Sequence, residues 1–226
     1  MLWLPMAALI VALVAALVWV ATRSAPARHS RPSGIGLLSG RASDIAPGSF
    51  LVARRDLSDP NFSQSVVLML RHDERSSMGL VINRRTGVAL SEVFPGQEDS
   101  TRTPDPIFWG GPVGMTGVLA LIRADRSEKA EQVFPGVLLI TSKTVLEEKL
   151  AENRDASELR VYLGYSGWGP GQLKQELEMG AWHLMRGESK LVFDPSPESL
   201  WSRLIGRTEL QIVRTTGGRA LARAGL

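Results

Sequence analysis

The chain has 226 residues, a formal net charge of +3, 44% hydrophobic residues and no cysteine. The lack of cysteine excludes disulfides and thiol chemistry, and it fits either side of a membrane. The length suits one domain, or at most two, once the segments that cannot join a globular core are set aside.

The first segment, residues 2–22, is predicted to be a transmembrane anchor. It contains no charged residue, and at about 1.5 Å per residue it covers roughly 31 Å, close to the ~30 Å of a hydrocarbon core. Arg23, Arg28 and Arg31 follow it and no basic residue precedes it, so the positive-inside rule places the soluble part in the cytoplasm. A cleaved signal peptide is disfavoured because the basic start and the small-residue cleavage site are missing. A translation start further downstream would instead leave a cytoplasmic protein.

The positive charge lies at the two ends of the chain. Residues 1–33 carry three arginines and no acid, and residues 214–226 carry three more and no acid, which leaves residues 34–213 at about −3. Nucleic-acid affinity depends on clustered Lys and Arg, so direct nucleic-acid binding by the folded body is not expected. An anionic membrane surface is an easier partner for residues 23–31, although these arginines equally suit a stop-transfer signal.

A flexible basic linker is predicted over residues 23–46, because Ser, Ala, Pro, Gly and Arg dominate there without an apolar period. Beyond it, apolar runs of strand length recur, and a polar turn at 71–77 predicts a hairpin between the second run and the third. The run at 66–70 has no polar alternation, which is typical of a strand buried on both faces. The predicted strands are Ser49–Ala53, Ser65–Leu70, Met78–Ile82, Pro106–Trp109, Val118–Ile122, Val133–Ile140 and Leu159–Leu163.

Three helices are predicted among these strands. Each begins with a capping residue or a first-turn proline followed by an apolar stripe, and Gly180 ends the second helix. Strands and helices do not alternate regularly, so the sequence predicts a single α+β domain over residues 47–213, followed by a basic tail at 214–226. The start signals are Ser142, Gly169-Pro170 and Ser196-Pro197.

Two glycine-rich stretches are the densest motifs of the chain. Leu163–Leu173 holds four glycines within eight residues, and Trp109–Val113 places Gly110 and Gly111 directly after a strand. Free N–H groups at the helix start near Gly171 can bind an anion. The preferred interpretation is structural: the glycines of the longer stretch let a strand bend into a helix, and those of the shorter stretch form a turn. The longer stretch matches neither a P-loop nor G-x-S-x-G.

These two stretches belong to a series of motifs that resembles the YqgE/AlgH family from about Pro47 to Val213. The resemblance implies a bacterial protein, so the predicted anchor would lie in the bacterial inner membrane. It further implies a compact α+β domain with a mainly antiparallel, pseudo-barrel sheet and about three flanking helices. Members have no established reaction and are commonly labelled transcriptional regulators. The other motifs in the series are Asp59-Pro60-Asn61-Phe62, Gly79–Asn83, Phe193-Asp194 and Trp201.

Three features depart from the family pattern. Most members have no anchor like that of residues 2–22. Arg85 stands where the family often has Pro, and Ser166 stands where it commonly has Ala, which weakens Ser166 as a candidate nucleophile.

No catalytic or metal-binding signature is apparent. A Ser-His-Asp site would need His72 or His183 as its base, and neither lies in a recognisable motif. His72-Asp73-Glu74 alone suggests a metal, but adjacent residues at a strand end do not converge on one ion. The sequence therefore predicts no metal and no cofactor.

The sequence as a whole predicts a non-catalytic binding or regulatory module that is tethered through residues 2–22 and has an unknown protein or small-molecule partner. The rival is a hydrolase or other small-molecule enzyme that uses the glycine-rich stretches as a pocket, with Asp59, His72 or Glu176 as acid or base. The candidate contact residues come from the motifs above: Asp59, Asn61, Asn83, Gly110, Gly111, Tyr165, Trp168, Gln172 and Glu176.

Overall fold

A computed structural model describes residues 38, 41–94, 106–152 and 155–224 of the chain. They belong to one compact unit, residues 35–226. The predicted anchor at 2–22 and most of the predicted linker lie outside the described residues. In the part that is described, no helix is both long and apolar enough to span a membrane.

Ten strands and five helices make up the described fold. The strands are β1 Ser49–Ala53, β2 Val66–His72, β3 Ser77–Val81, β4 Arg85–Ala89, β5 Pro106–Trp109, β6 Val113–Ile122, β7 Glu131–Phe134, β8 Val137–Ile140, β9 Leu159–Trp168 and β10 Trp182–Arg186. The helices are α1 Leu90–Val93, α2 Lys143–Ala151, α3 Gln172–Glu178, α4 Ser189–Val192 and α5 Leu200–Ala224, with 3-10 turns at Ala42–Asp44 and Pro197–Ser199.

The strands form one curled sheet in the order β10-β1-β2-β3-β9-β6-β8-β7, and the β4–β5 pair branches from β9. Every strand pair is antiparallel except β5 with β9. Strand β9 is the junction, since its first half pairs with β6 and β5 whereas Ser166–Trp168 pair with β3. The α+β class and the mainly antiparallel sheet of a single domain are therefore confirmed.

Strand β2 is buried on both faces of the sheet, which explains why its sequence is continuously apolar. Val66, Leu68 and Leu70 pack on one face in a cluster that also holds Leu200 and Leu204 of α5. Val67 and Met69 alternate to the opposite face, where Leu173 and Leu177 of α3 cover them. A third cluster lies between α2 and the strands β5, β6 and β8. The prediction that β2 is buried on both faces is confirmed.

Local turns explain where the strand boundaries differ from the prediction. The run Val133–Ile140 is two strands, because Pro135 and Gly136, with φ +84° at Gly136, reverse the chain between β7 and β8. Strand β9 continues to Trp168, through the stretch in which the sequence predicts a bend, and Gly164 accommodates a φ of +67° within it. The sequence does not predict β4, β10 or the four-residue helices α1 and α4.

The ends of the folded body also differ from the prediction. Ile45, placed in the predicted linker, is 6% exposed and packs in the cluster that contains Leu173 and Leu177 of α3. The Leu38 N–H donates to the Leu184 carbonyl oxygen at 3.0 Å. The body therefore starts before residue 47. At the other end, α5 runs to Ala224, so most of the predicted tail at 214–226 has a helical backbone. The three predicted helices correspond to α2, α3 and α5.

Candidate functional site

The predicted contact residues Gly110 and Gly111 lie where the chain leaving β5 passes the middle of β9. A Cβ on Gly110 would come within 2.4 Å of the Gly164 carbonyl oxygen, and one on Gly111 within 2.3 Å of the Tyr165 carbonyl group. The Gly110 carbonyl oxygen accepts hydrogen bonds from Val81 N (2.8 Å) and from Ser166 Oγ (3.1 Å). These glycines permit two backbones to approach closely.

The side chain of Tyr165, another predicted contact residue, is half-buried beside this crossing. It packs against the core cluster that contains Phe50 and Tyr162. Gly114 leaves room for the Tyr165 ring, since a Cβ there would lie 3.2 Å from it. Tyr165 therefore covers an end of the core rather than facing the other predicted contact residues.

Trp168, Gln172 and Glu176 do come together, in a cluster around one carboxylate. Glu176 Oε2 accepts from the indole N–H of Trp168 at 3.0 Å and from that of Trp182 at 2.8 Å, and Oε1 accepts from Gln172 Nε2 at 3.0 Å. Phe62 stacks on Trp168 with ring centroids 5.9 Å apart and meets Trp182 edge-on at 5.6 Å. We call Phe62, Trp168, Trp182 and Glu176 the tryptophan cluster. Both indoles are only 4% exposed, so the cluster is a packed joint without space for a ligand.

The start of α3 follows the same pattern. The helix has seven residues, with Gly171 at its N-cap in the left-handed region (φ +72°). Two residues before Gly171, where the sequence predicts free N–H groups for an anion, the Gly169 N–H donates to Gln172 Oε1 at 3.1 Å. The chain therefore satisfies this group itself, which is the structural interpretation of the glycine-rich stretch.

Asp59, Asn61 and Asn83 organise the loop between β1 and β2. The Asp59 carboxylate accepts from Asn61 N at 2.7 Å and closes a turn. Asn83, buried at 6% exposure, accepts from Val66 N at 2.8 Å and donates to the Gln64 carbonyl oxygen at 3.0 Å. The sequence selects these residues correctly as turn-forming polar groups, and they shape the neighbouring surface rather than offering free side chains.

Arg84 fastens the same loop to the sheet. Its guanidinium donates to the carbonyl oxygens of Asn61 (2.7 Å) and Ser63 (2.5 Å). It also lies over the Trp109 ring, 5.1 Å from the centroid. Burial lowers the pKa of Arg84, and the nearby Asp59 carboxylate opposes that shift. Arg84 therefore holds a half-buried positive charge against a ring and backbone oxygens.

An open cleft of about 780 Å³ lies between this loop, Trp109 and the turn before α5. Four chain segments that are far apart in the sequence line it. We call it the arginine cleft, after its two adjacent arginines. The lining residues are Pro60, Ser63, Gln64, Asn83, Arg84, Arg85, Trp109 and Glu198.

Two details of the arginine cleft stand out. Arg85 forms an ion pair with Glu198, with Nη1 and Oε1 3.2 Å apart, across the cleft. Gln64 has a φ of +57°, the sole positive φ of a non-glycine residue in the ranges that the structure describes. A long side chain rarely adopts this conformation, and residues that do are concentrated at functional sites.

Of the cleft residues, sequence reasoning selects only Asn83. Gln64, Arg84 and Glu198 carry no motif of their own, so nothing in the sequence points to them. Among the charged cleft residues, Arg85 carries a sequence signal, since it departs from the Pro that the resembled family often has at this position, and Pro60 and Trp109 lie within the motifs of the series.

A second arginine is buried away from the cleft, where it stabilises the fold. Arg160, 2% exposed, lies over the Phe108 ring and donates to the carbonyl oxygens of Val192 (2.8 Å) and Asp194. Burial raises the pKa of Tyr162 beside it to about 12, and the Arg160 charge opposes this shift. Arg160 thereby ties the end of α4 to β9 through backbone oxygens, whereas the Asp194 carboxylate accepts from Ser196 N at 2.9 Å and pairs with Arg203 at 2.8 Å.

His72 and His183 lie apart from the residues that line the arginine cleft. His72 Nδ1 lies 2.7 Å from Ser77 Oγ across the β2–β3 hairpin, whereas His183 lies on β10 and faces α5. Among the residues that the structure describes, no group of three or more His, Asp or Glu side chains is arranged to hold a metal ion.

Comparison with known proteins gives consistent matches. The AlgH-like family model matches residues 50–213. A UPF0301 protein of Streptomyces avermitilis is 38% identical over 176 residues, which cover 74% of this chain and 90% of the relative. A UPF0301 protein of Myxococcus xanthus is 37% identical over 161 residues, covering 70% and 87%.

Two solved structures share the fold. The solution structure of the AlgH protein from Pseudomonas aeruginosa superposes with a TM-score of 0.62 at 29% identity, covering 79% of this chain and 97% of that protein. A crystal structure of a Corynebacterium diphtheriae protein gives a TM-score of 0.63 at 26% identity, covering 73% and 87%.

Proposed function

Because the chain belongs to the AlgH-like family, we propose that its folded body is a non-catalytic binding module whose ligand site is the arginine cleft. The observation that carries this proposal is the lining of the cleft, where two guanidinium groups, a carboxylate, two amides and an indole surround about 780 Å³. Ligand sites typically have volumes of roughly 300–1,000 Å³ and a few convergent polar groups. The glycine-rich stretches, by contrast, are filled by the chain itself.

The cleft is built to keep its shape. Arg84 holds the 60–63 loop against Trp109, and Asn83 holds it against β2. The same loop carries Phe62 into the tryptophan cluster. A site whose wall is fixed at both ends binds without a large ordering cost.

Filling the cleft tests the proposal. The full chain would be purified from its native cells as wild type and as Ser63→Trp, with Ser127→Trp as the control because Ser127 lines a separate groove of about 560 Å³. Native mass spectrometry and protein identification would compare what stays bound. We expect wild type and S127W to retain the same molecule and S63W to lose it.

A second cleft-filling variant guards against misfolding. Glu198 is 58% exposed on the opposite wall, so Glu198→Trp should fill the cleft with little effect on the core. If both variants keep the wild-type melting temperature and also keep every bound molecule, the arginine cleft is not the ligand site.

A membrane tether is part of the same proposal. The uncharged segment 2–22 and the three arginines after it support a single-pass protein of the bacterial inner membrane with the folded body in the cytoplasm. Extraction of the untagged protein should require detergent and resist carbonate. A carbonate-soluble protein whose first residue lies beyond position 22 would overturn the tether.

Regulation through direct nucleic-acid contact is not expected, since residues 34–213 carry about −3 net charge. Any regulatory role would then act through the bound partner. Binding of DNA that weakens steeply with added salt, measured on a chain without its arginine-rich ends, would contradict this.

One contact favours a hydrolase as the second candidate. His72 and Ser77 are within hydrogen-bond distance, as a nucleophile and its base would be. Ser77, however, is only 6% exposed and lies in the strand ladder opposite Trp168. We therefore expect a fluorophosphonate probe to leave the protein unlabelled, and labelling that Ser77→Ala abolishes would establish the hydrolase instead.

A further inference from the structure

The Arg85–Glu198 pair indicates what kind of ligand the arginine cleft takes. We propose that the cleft binds an oxyanion group, a carboxylate or a phosphate monoester, which replaces Glu198 as the ion-pair partner of Arg85. This inference rests on the proposed function of the cleft. It adds the chemical class of the ligand and identifies the group that the ligand displaces.

The charges that line the cleft favour an anion. Arg84 and Arg85 stand against a single lining carboxylate, that of Glu198. Arg84 directs its guanidinium to neutral carbonyl oxygens and to the Trp109 ring, and Asp59 lies outside the lining. Arg84 is half-buried, so its positive charge is incompletely solvated, and burial lowers its pKa. An added negative charge nearby would stabilise it.

Glu198 shows that the cleft already accommodates an oxyanion beside Arg85. The pair is held by a single contact of 3.2 Å, with side chains 36% and 58% exposed. Exposed ion pairs contribute little to stability, so Glu198 can swing into solvent at small cost. Glu198 lies in the short 3-10 turn Pro197–Ser199, outside the sheet, where such a rotation disturbs no strand.

Gln64 and Ser63 provide uncharged donors on the same wall. Within the described residues, neither side chain forms a hydrogen bond, and both line the cleft. The chain has Gln at position 64, where the backbone φ of +57° suits glycine better. Gln64 therefore combines a strained backbone, which glycine would relieve, with an amide donor in the cleft. This combination is consistent with a ligand contact.

Chemical protection of Arg85 tests the inference on the full chain. Phenylglyoxal modifies accessible arginines, and peptide mass spectrometry would give the rate at each position. We expect inorganic phosphate or acetate to slow modification of Arg85 several-fold, with tetramethylammonium chloride as the ionic-strength control. The exposed Arg126, which lines the separate groove, should react at an unchanged rate. Comparison of the phosphate and acetate arms identifies which oxyanion the cleft prefers.

Two variants make the outcome specific. Glu198→Gln removes the competing carboxylate, so the anion concentration that half-protects Arg85 should fall roughly two- to five-fold, as expected for release of an exposed ion pair. Gln64→Gly should raise that concentration while leaving the fold intact, because glycine adopts the same backbone conformation.

Protection of Arg85 and Arg126 to the same extent, no protection by either anion, or a half-protecting concentration unchanged in E198Q would each overturn the inference. Such a result would leave the arginine cleft as a binding site if S63W still loses the molecule bound in cells. If S63W and E198W lose nothing, the proposed function itself fails.

Discussion

Glu176 illustrates how a conspicuous residue can be structural. As a carboxylate beside a glycine-rich stretch, it is a reasonable acid or base candidate from sequence alone. In the structure, two buried indoles and one amide use both of its oxygens. The sequence predicts that Trp168, Gln172 and Glu176 are neighbours, since they are spaced along one helix and its approach. The sequence does not predict that Trp182, which lies on β10, joins them.

Replacing Glu176 by Ala should lower the free energy of unfolding by about 2–6 kcal/mol. The change leaves two indole N–H groups without an acceptor in a buried cluster, and each such group costs about 1–3 kcal/mol. Urea denaturation followed by tryptophan fluorescence measures this.

Glu178→Ala is the matched control for this prediction. Glu178 lies on the same helix, where it forms an exposed ion pair with Lys174, with the two charged atoms 3.9 Å apart. The free energy of unfolding should then change by no more than about 0.5 kcal/mol. Equal losses for the two variants would show that the indole contacts contribute nothing particular.

At the scale of elements, β9 connects most of the fold. It pairs with β3, β5 and β6, and glycines at 110, 111 and 164 let the chain after β5 cross it at close range. Strand patterns give its first half correctly. They end it too early because glycines usually mark a turn, whereas here they mark a crossing of two backbones.

Gly110→Ala should destabilise the fold by about 3 kcal/mol or more. Its Cβ would lie 2.4 Å from a backbone oxygen and 2.6 Å from a Leu80 methyl group, and overpacking of this kind moves the backbone. Thermal or urea unfolding gives the difference.

Gly169→Ala serves as the control, since nothing lies within 4 Å of its Cβ. We expect its stability to be unchanged or raised by up to about 1 kcal/mol. A G110A protein as stable as G169A would contradict the structural role assigned to the glycine-rich stretches.

The packing of β10 against α5 predicts a pH dependence. Burial, followed by the charge of Arg54, lowers the pKa of His183 below its usual 6.5, while Glu209 and Asp56 oppose the shift. Below about pH 6.5, His183 is therefore protonated in the unfolded chain while it is still neutral in the folded chain. Stability contributed by this group is complete above pH 6.5 and declines as the pH falls towards the lower folded pKa.

Removing the titrating group isolates this effect. Wild type should lose more stability than His183→Gln between about pH 7.5 and about pH 5.5, as measured by urea denaturation at each pH. Arg55 lowers the pKa of Glu209, so that carboxyl titrates below this window. Identical losses in the two proteins would show that His183 is not the group responsible.

At the scale of the whole molecule, the fold was more predictable than the site. Apolar runs predict most of the strands, although not β4 or β10, and the start signals predict α2, α3 and α5, because both kinds of signal are local. The arginine cleft is assembled from residues as distant as Pro60 and Glu198. Only the sheet order brings them together, and no local pattern in the sequence encodes that order.

The most direct measurement is the indole N–H spectrum of the full chain with 15N-labelled tryptophan, recorded while a chemically diverse fragment mixture is added. The chain has six tryptophans: Trp109 reports on the arginine cleft, and Trp168 and Trp182 report on the glycine-rich stretch. If the cleft is the ligand site, the Trp109 signal shifts and the other two stay in place. A shift of Trp168 and Trp182 with Trp109 unmoved would instead show that the ligand binds at the glycine-rich stretch.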